Sequence, residues 1–156
     1  MLHQRMIRVV FVVALTLSTA ASAQQTLVGS AAEAEAMLDR AVAAVKADKA
    51  QALAMFNKGE GGFKHLDLQP FCFNVSDGTI TAAPMPNLLG TDIRALKDKN
   101  GKEFGQEIYH AAREGIIMEV SYMSPRSGTD PTLFQKVSLI TRVGDQGCGV
   151  AYIGFE

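Results

Sequence analysis

The sequence predicts an α+β fold, a long N-terminal helix packed on a five-stranded antiparallel sheet, and three observations carry that expectation. From Ser30 to about Asn57 an Ala-rich stretch keeps Leu38, Val42, Val45, Ala52 and Phe56 at three-to-four-residue spacing, one apolar stripe of a helix. Residues 119–142 alternate apolar and polar side chains with period two, the pattern of half-buried strands. The order is helix, two strands, a loop and a second helix, then three strands. Consecutive hairpins imply an antiparallel sheet, and helices set apart from them imply α+β.

The first residues stand outside that fold. Arg5 and Arg8 precede an apolar run at 9–17, and Ala21-Ser22-Ala23 follows as an A-x-A site, the three regions of a secretory signal peptide in order. The run is shorter than the roughly 20 residues a membrane span needs. Residues 1–23 are therefore expected to be removed, leaving 24–156 as one periplasmic or secreted domain with no membrane segment. Of 156 residues, 23 go and 133 remain; 15 Lys and Arg less Arg5 and Arg8 leave 13 against 16 Asp and Glu, a net charge of −3. That length supports a core of its own. Scattered charge without a basic face excludes nucleic acid as a partner.

Residues 24–29 read as a mobile lead-in. Ser30-Ala31-Ala32-Glu33 matches a capping box and starts the long helix, which Gly59-Glu60-Gly61-Gly62 ends. Two strands follow at 68–75 and 79–83, joined by Ser76-Asp77-Gly78, with Pro70 expected at a strand start or edge. Residues 92–96 form a short turn and Asp98-Lys99-Asn100-Gly101 another. A second helix spans 102–114 with Phe104, Ile108 and Ala112 on one face, stopped by Gly115. In the hairpin beyond it Val120 and Tyr122 share one face of the first limb. The second limb alternates Val137, Leu139, Thr141 and Val143 against Lys136, Ser138, Ile140 and Arg142. Between them 124–131 (Ser-Pro-Arg-Ser-Gly-Thr-Asp-Pro) reads as a long polar loop. Gly144-Asp145-Gln146-Gly147 turns into a last strand at 148–155.

Chemistry-bearing patterns are few. Past the leader only His65 and His110 remain, neither with a partner at metal-ligand spacing, and Met37, Met55, Met85, Met118 and Met123 are scattered as core filler is. There is no G-x-S-x-G elbow. Gly59–62 leaves a helix instead of opening one and lacks the Lys-Ser/Thr of a phosphate loop, and the two Asp-Gly turns lack a calcium-loop pattern. No catalytic residue, metal or cofactor is expected. Cys72 and Cys148, an even count in an exported chain, are expected to form a disulfide. The candidate binding residues are Tyr122, Arg126 and Lys136, which converge where the hairpin opens, with Tyr109 lining the pocket. Two cations and a phenol around a concavity suit a small carboxylate through charge-assisted hydrogen bonds. The small size of any pocket under one hairpin favours acetate, propionate, pyruvate or lactate.

Several runs taken in order, Gly61-Gly62-Phe63, 71–78, 87–92, 96–104, 120–126, Lys136-Val137-Ser138 and 147–152, resemble a single Cache domain. The resemblance covers roughly residues 30–156; Met123 stands where that family often has Trp. Cache domains are extracytoplasmic sensors with a long N-terminal helix against a PAS-like five-stranded antiparallel sheet. They bind small molecules, commonly short carboxylates or amino acids, between the sheet and its covering loops. The resemblance thus implies a periplasmic ligand-binding and sensing module, not an enzyme, and places Cys72 and Cys148 on neighbouring strands. It is compatible with a homodimer or a membrane-receptor partner. The alternative is a structural or protein-interaction module that dimerises through the helix stripe.

Overall fold

Ser30 opens the first helix as the capping box requires. Its Oγ accepts from the Glu33 amide at 3.3 Å, and the Glu33 carboxylate accepts from the Ser30 amide at 2.8 Å. The computed structural model describes residues 28–127 and 130–154, leaving out the side chains at 126, 127, 130 and 131. The leader and its cleavage site lie outside the described residues. Among those described, no helix is long and apolar enough to cross a membrane.

The single helix expected from the stripe is two, α1 (Ala31–Ala47) and α2 (Lys49–Lys58), which meet at Asp48. Asp48 is extended (φ −155°, ψ 99°), and its carboxylate accepts from the Gln51 amide at 3.0 Å. A short acidic side chain competes with the helical backbone in a way the surrounding alanines cannot. At Gly59 a φ of 67° ends α2 with the left-handed residue that helix exits favour. The end of the expected lead-in is held: Val28 is buried, and the Gly29 amide donates to Asp67 at 2.7 Å.

The remaining elements are β1 (Pro70–Asn74), β2 (Ile80–Ala82), α3 (Phe104–Ala111), β3 (Met118–Ser127), β4 (Asp130–Val143) and β5 (Gln146–Ile153), with 3-10 turns at Pro86–Leu88 and Ile93–Ala95. The five strands lie in the order β2-β1-β5-β4-β3, every neighbouring pair antiparallel. Pro70 sits at the first position of its strand. The polar segment 124–131 corrects the expectation of a long loop. β3 runs on to Ser127 and β4 starts at Asp130, with Ser124 opposite Phe134 and Pro125 opposite Leu133. Because β3 is an edge strand, Pro125 needs no outward N–H there.

Register assigns the two faces. Cys72, Cys148, Val150, Leu139 and Val143 pack with Ala34, Leu38, Ala41, Val45 and Phe56 of α1 and α2. The opposite face carries Phe73, Val120 and Ile140 against Ile93 and Ile108. Cys72 and Cys148 stand directly opposite each other, Cα atoms 4.1 Å apart, and are joined. On the second face Gly147 and Gly149 let the rings of Phe73 and Phe71 lie flat on β5, where a Cβ would collide with them.

Candidate functional site

The β3–β4 ladder pairs Tyr122 with Lys136, and Lys136 in turn pairs with Ile153 at the end of β5. Cross-strand partners share a face, so both side chains stand on the α3 side of the sheet. Ser138, one step along that face, is fully buried, and its Oγ lies 3.3 Å from the Tyr122 hydroxyl. Above Tyr122 the first residue of α3 closes in: the Phe104 and Tyr122 rings stack with centroids 4.0 Å apart and planes 11° from parallel.

The electrostatics of this end are those of a cation kept from water. Burial pushes the Lys136 ammonium below its ordinary pKa, with Asp67 pulling weakly the other way. No carboxylate stands within ion-pair distance of Lys136 among the described residues. Burial also pushes the Tyr122 phenol up, against a smaller opposing pull from its hydrogen bond with Ser138. The ladder thus sets a phenolic hydroxyl opposite an amine side chain, two groups that can donate to a carboxylate.

The other two candidate residues fare differently. The backbone of Arg126 lies in β3 at an irregularity between the Pro125–Leu133 and Ser127–Asp130 pairs, and its side chain is outside the described residues. Tyr109 stands at the far end of the sheet. Its hydroxyl donates to the Val75 carbonyl at 2.7 Å, and Val75 hangs from Asp145 just beyond the Asn74–Gln146 pair. From Gln146 to Ile153 is seven strand steps, roughly 23 Å. Tyr109 and Lys136 are not brought together.

Tyr109 instead floors an open concavity of about 440 Å³ lined with Asp92, Arg94, Ala95, Gln106 and His110. Arg94 lies 5.1 Å from the ring centre. Its guanidinium already donates to the Asp92 carboxylate at 2.7, 2.9 and 3.1 Å and to the Asp77 carbonyl at 2.7 Å. That cation is already compensated by the Asp92 carboxylate. His65 lies 3.5 Å from Glu33 at the start of α1. No group of three potential metal ligands occurs among the described residues.

Sequence reasoning missed Phe104, read only as part of a helix stripe, and the partner role of Ser138. The alternation that put Ser138 beside Lys136 was the available signal.

No protein-family model and no curated protein sequence matches the chain. Solved structures do. A methyl-accepting chemotaxis protein from Vibrio parahaemolyticus superposes with a TM-score of 0.55 at 20% identity, over 77% of this chain and 85% of its own. The periplasmic sensor domain of a chemotaxis protein gives 0.57 at 18% identity, over 80% and 90%. A Cache chemosensory domain whose structure describes carboxylic acid recognition gives 0.55 at 16% identity, over 80% and 88%. This chain has the fold of a single Cache domain. In Cache terms α1 and α2 back one face of the PAS-like sheet. The turn-rich segment from β2 through α3 covers the other, where Tyr122 and Lys136 stand.

Proposed function

We propose that this Cache-fold domain is an extracytoplasmic sensing module, not an enzyme, which binds a short monocarboxylate of the acetate, propionate, pyruvate or lactate class at the Tyr122–Lys136 end of its sheet. One observation carries the reading: a half-buried ammonium without a carboxylate at ion-pair distance among the described residues, set directly opposite a phenol. A buried cation without a counter-ion is unfavourable, and an anionic ligand removes that penalty. Carboxylic acid recognition by a domain of the same fold supports the ligand class. Export and removal of residues 1–23 belong to the same proposal, as does a receptor partner to which the bound state is passed.

A thermal-shift panel of short carboxylates, amino acids, amines and purines tests it. Ligand at about 100 times Kd adds roughly 2.7 kcal/mol to the folded state. Stabilisation by a short carboxylate, lost in Lys136→Met, is the expected result. A response to amines alone, or a carboxylate response that Lys136→Met leaves intact, overturns the assignment.

A further inference from the structure

β3 is the outer strand of the sheet, and an edge strand normally leaves its outward N–H and C=O groups to water or to another chain. Here two of them are taken by one loop. The Met123 amide donates to Asp98 Oδ2 at 3.0 Å, and the Ser121 carbonyl accepts from Lys102 Nζ at 2.7 Å. These two attachments straddle Tyr122. The other Asp98 oxygen accepts from the Asn100 and Lys102 amides at 2.8 and 2.9 Å, so one carboxylate shapes the turn and fastens it to the strand. Backbone bonds between Asp98 and Lys102, and from Gly101 to Asp98, keep the turn tight, with Gly101 at φ 83°.

The loop is closed at its neck as well. The Gly105 amide donates to the Leu96 carbonyl at 3.1 Å, and Gly105 sits so close to the Ile93 carbonyl that no Cβ would fit. Residues 97–104 therefore form a compact loop whose base is fixed to the 3-10 turn while its tip reaches the strand, the build of an Ω-loop. Its last residue is Phe104, the ring stacked on Tyr122. No side chain caps the first turn of α3; the loop is tied to it by ion pairs, Lys97 to Glu103 at 2.8 Å and Lys102 to Glu107 at 3.0 Å, beside the ring stack.

We propose that residues 97–104 are a latch over the Tyr122 end of the sheet. Asp98 and Lys102 fasten it to the edge of β3, and Phe104 is the lid that shuts solutes away from the phenol. Release of the two attachments swings Phe104 off Tyr122 while the Leu96–Gly105 neck stays closed. As a gate for a ligand this rests on the proposed Tyr122–Lys136 site; as a cover on Tyr122 it stands alone.

The experiment compares the disulfide-bonded chain with Asp98→Asn and with Lys102→Met. It reads amide hydrogen exchange and, by mass spectrometry, nitration of each tyrosine by tetranitromethane. In Asp98→Asn the Met123 amide is expected to exchange about tenfold faster or more. Tyr122 nitration is expected to rise severalfold while Tyr109 nitration and exchange at Leu139 and Val150 stay unchanged. Lys102→Met, which removes the other attachment, repeats the pattern and decides the matter if Asp98→Asn loosens the core. Tyr122 nitration unchanged while the Met123 amide is freed overturns the latch, as does loosening of the Leu139 and Val150 amides in proportion in both variants. A parallel arm adds millimolar propionate to the unaltered chain. Shielding of Tyr122 there supports the ligand site, and its absence sinks that site without altering what the variants say about the latch.

Discussion

Tyr122 and Lys136 face each other across the β3–β4 ladder, the phenol bonded to Ser138 and the ammonium without a carboxylate at ion-pair distance among the described residues. Geometry of that kind costs stability in the ligand-free domain, because a charge is held from water with no carboxylate at ion-pair distance among the described residues. On the proposed function, tight binding and maximal stability ask for different residues at position 136.

Lys136→Met is accordingly expected to raise the melting temperature of the ligand-free domain at neutral pH. The sign follows from linkage. Burial holds the folded pKa of Lys136 below the ordinary 10.5, so between the two values the unfolded chain binds a proton that the folded chain has lost. Stability then rises with pH across that window and is lowest below it. Tyr122 acts oppositely: its folded pKa lies above 10.0, so its contribution falls as pH climbs beyond 10.0. The Lys136 trend is therefore read below 10.0, by urea unfolding at a series of pH values. Lys136→Met should flatten it; a steeper trend, or a lower neutral melting temperature, contradicts the picture.

The Cys72–Cys148 bridge closes a separation of 76 residues. In the chain-entropy model such a loop contributes about 4 kcal/mol, or roughly 10–20 °C in melting temperature for a domain of this size. Both cysteines sit on the α1 face, away from Tyr122 and Lys136. Reduction should therefore lower the melting temperature while leaving the carboxylate response in the protein that remains folded. Thiol counting on denatured, unreduced chain is expected to find none.

Much of this architecture is legible in the sequence, and the exceptions have physical causes. Apolar spacing marks α1, α2 and α3, and Asp77-Gly78 marks the first hairpin, because burial and positive φ leave local signatures. Period-two alternation groups Lys136 with Ser138 on one face of their strand, but the cross-strand register that brings Tyr122 to that same face is not legible in it. The break at Asp48 was hidden because one acidic residue among good helix formers is as often a surface position as a cap. β3 runs on to Ser127 and β4 starts at Asp130 because Leu133 and Phe134 across the ladder outweigh a turn-rich composition, and pairing is not a local property. The sequence does not say at which end of the sheet Tyr109 falls, because helix periodicity gives the face a helix buries and not its position along the strands. Asp98 was legible as a turn residue; that its second oxygen holds a strand 25 positions onward was not.

Gly105→Ala tests how α3 is seated. An added Cβ meets the Ile93 carbonyl and comes within 3.0 Å of the Leu96 Cβ, both fixed parts of the neighbouring turn. Overpacking of this sort costs about 1–3 kcal/mol, against the small gain Ala normally brings to a helix. Denaturant unfolding should show net destabilisation, with Gln106→Ala, one position on and exposed, nearly neutral. Equal stability in the two variants would mean that α3 is not held where Gly105 meets Ile93.

The hydroxyl of Tyr122 separates structure from binding. Tyr122→Phe keeps the ring stacked on Phe104 but leaves the fully buried Ser138 Oγ without the phenol at 3.3 Å. A buried hydroxyl deprived of its partner costs about 1–3 kcal/mol, and the length of this contact points to the lower end. Replacing both partners, Tyr122→Phe with Ser138→Ala, removes the unsatisfied group and should restore most of the lost stability. The double-variant cycle then yields a coupling of about 1 kcal/mol. The carboxylate response behaves differently if the phenol donates to the ligand. It should weaken about tenfold in Tyr122→Phe, the worth of one hydrogen bond to a charged group, and stay weak in the double variant although the fold has recovered. A double variant that regains both stability and carboxylate affinity would show that the hydroxyl serves only Ser138, leaving Lys136 to hold the ligand without it.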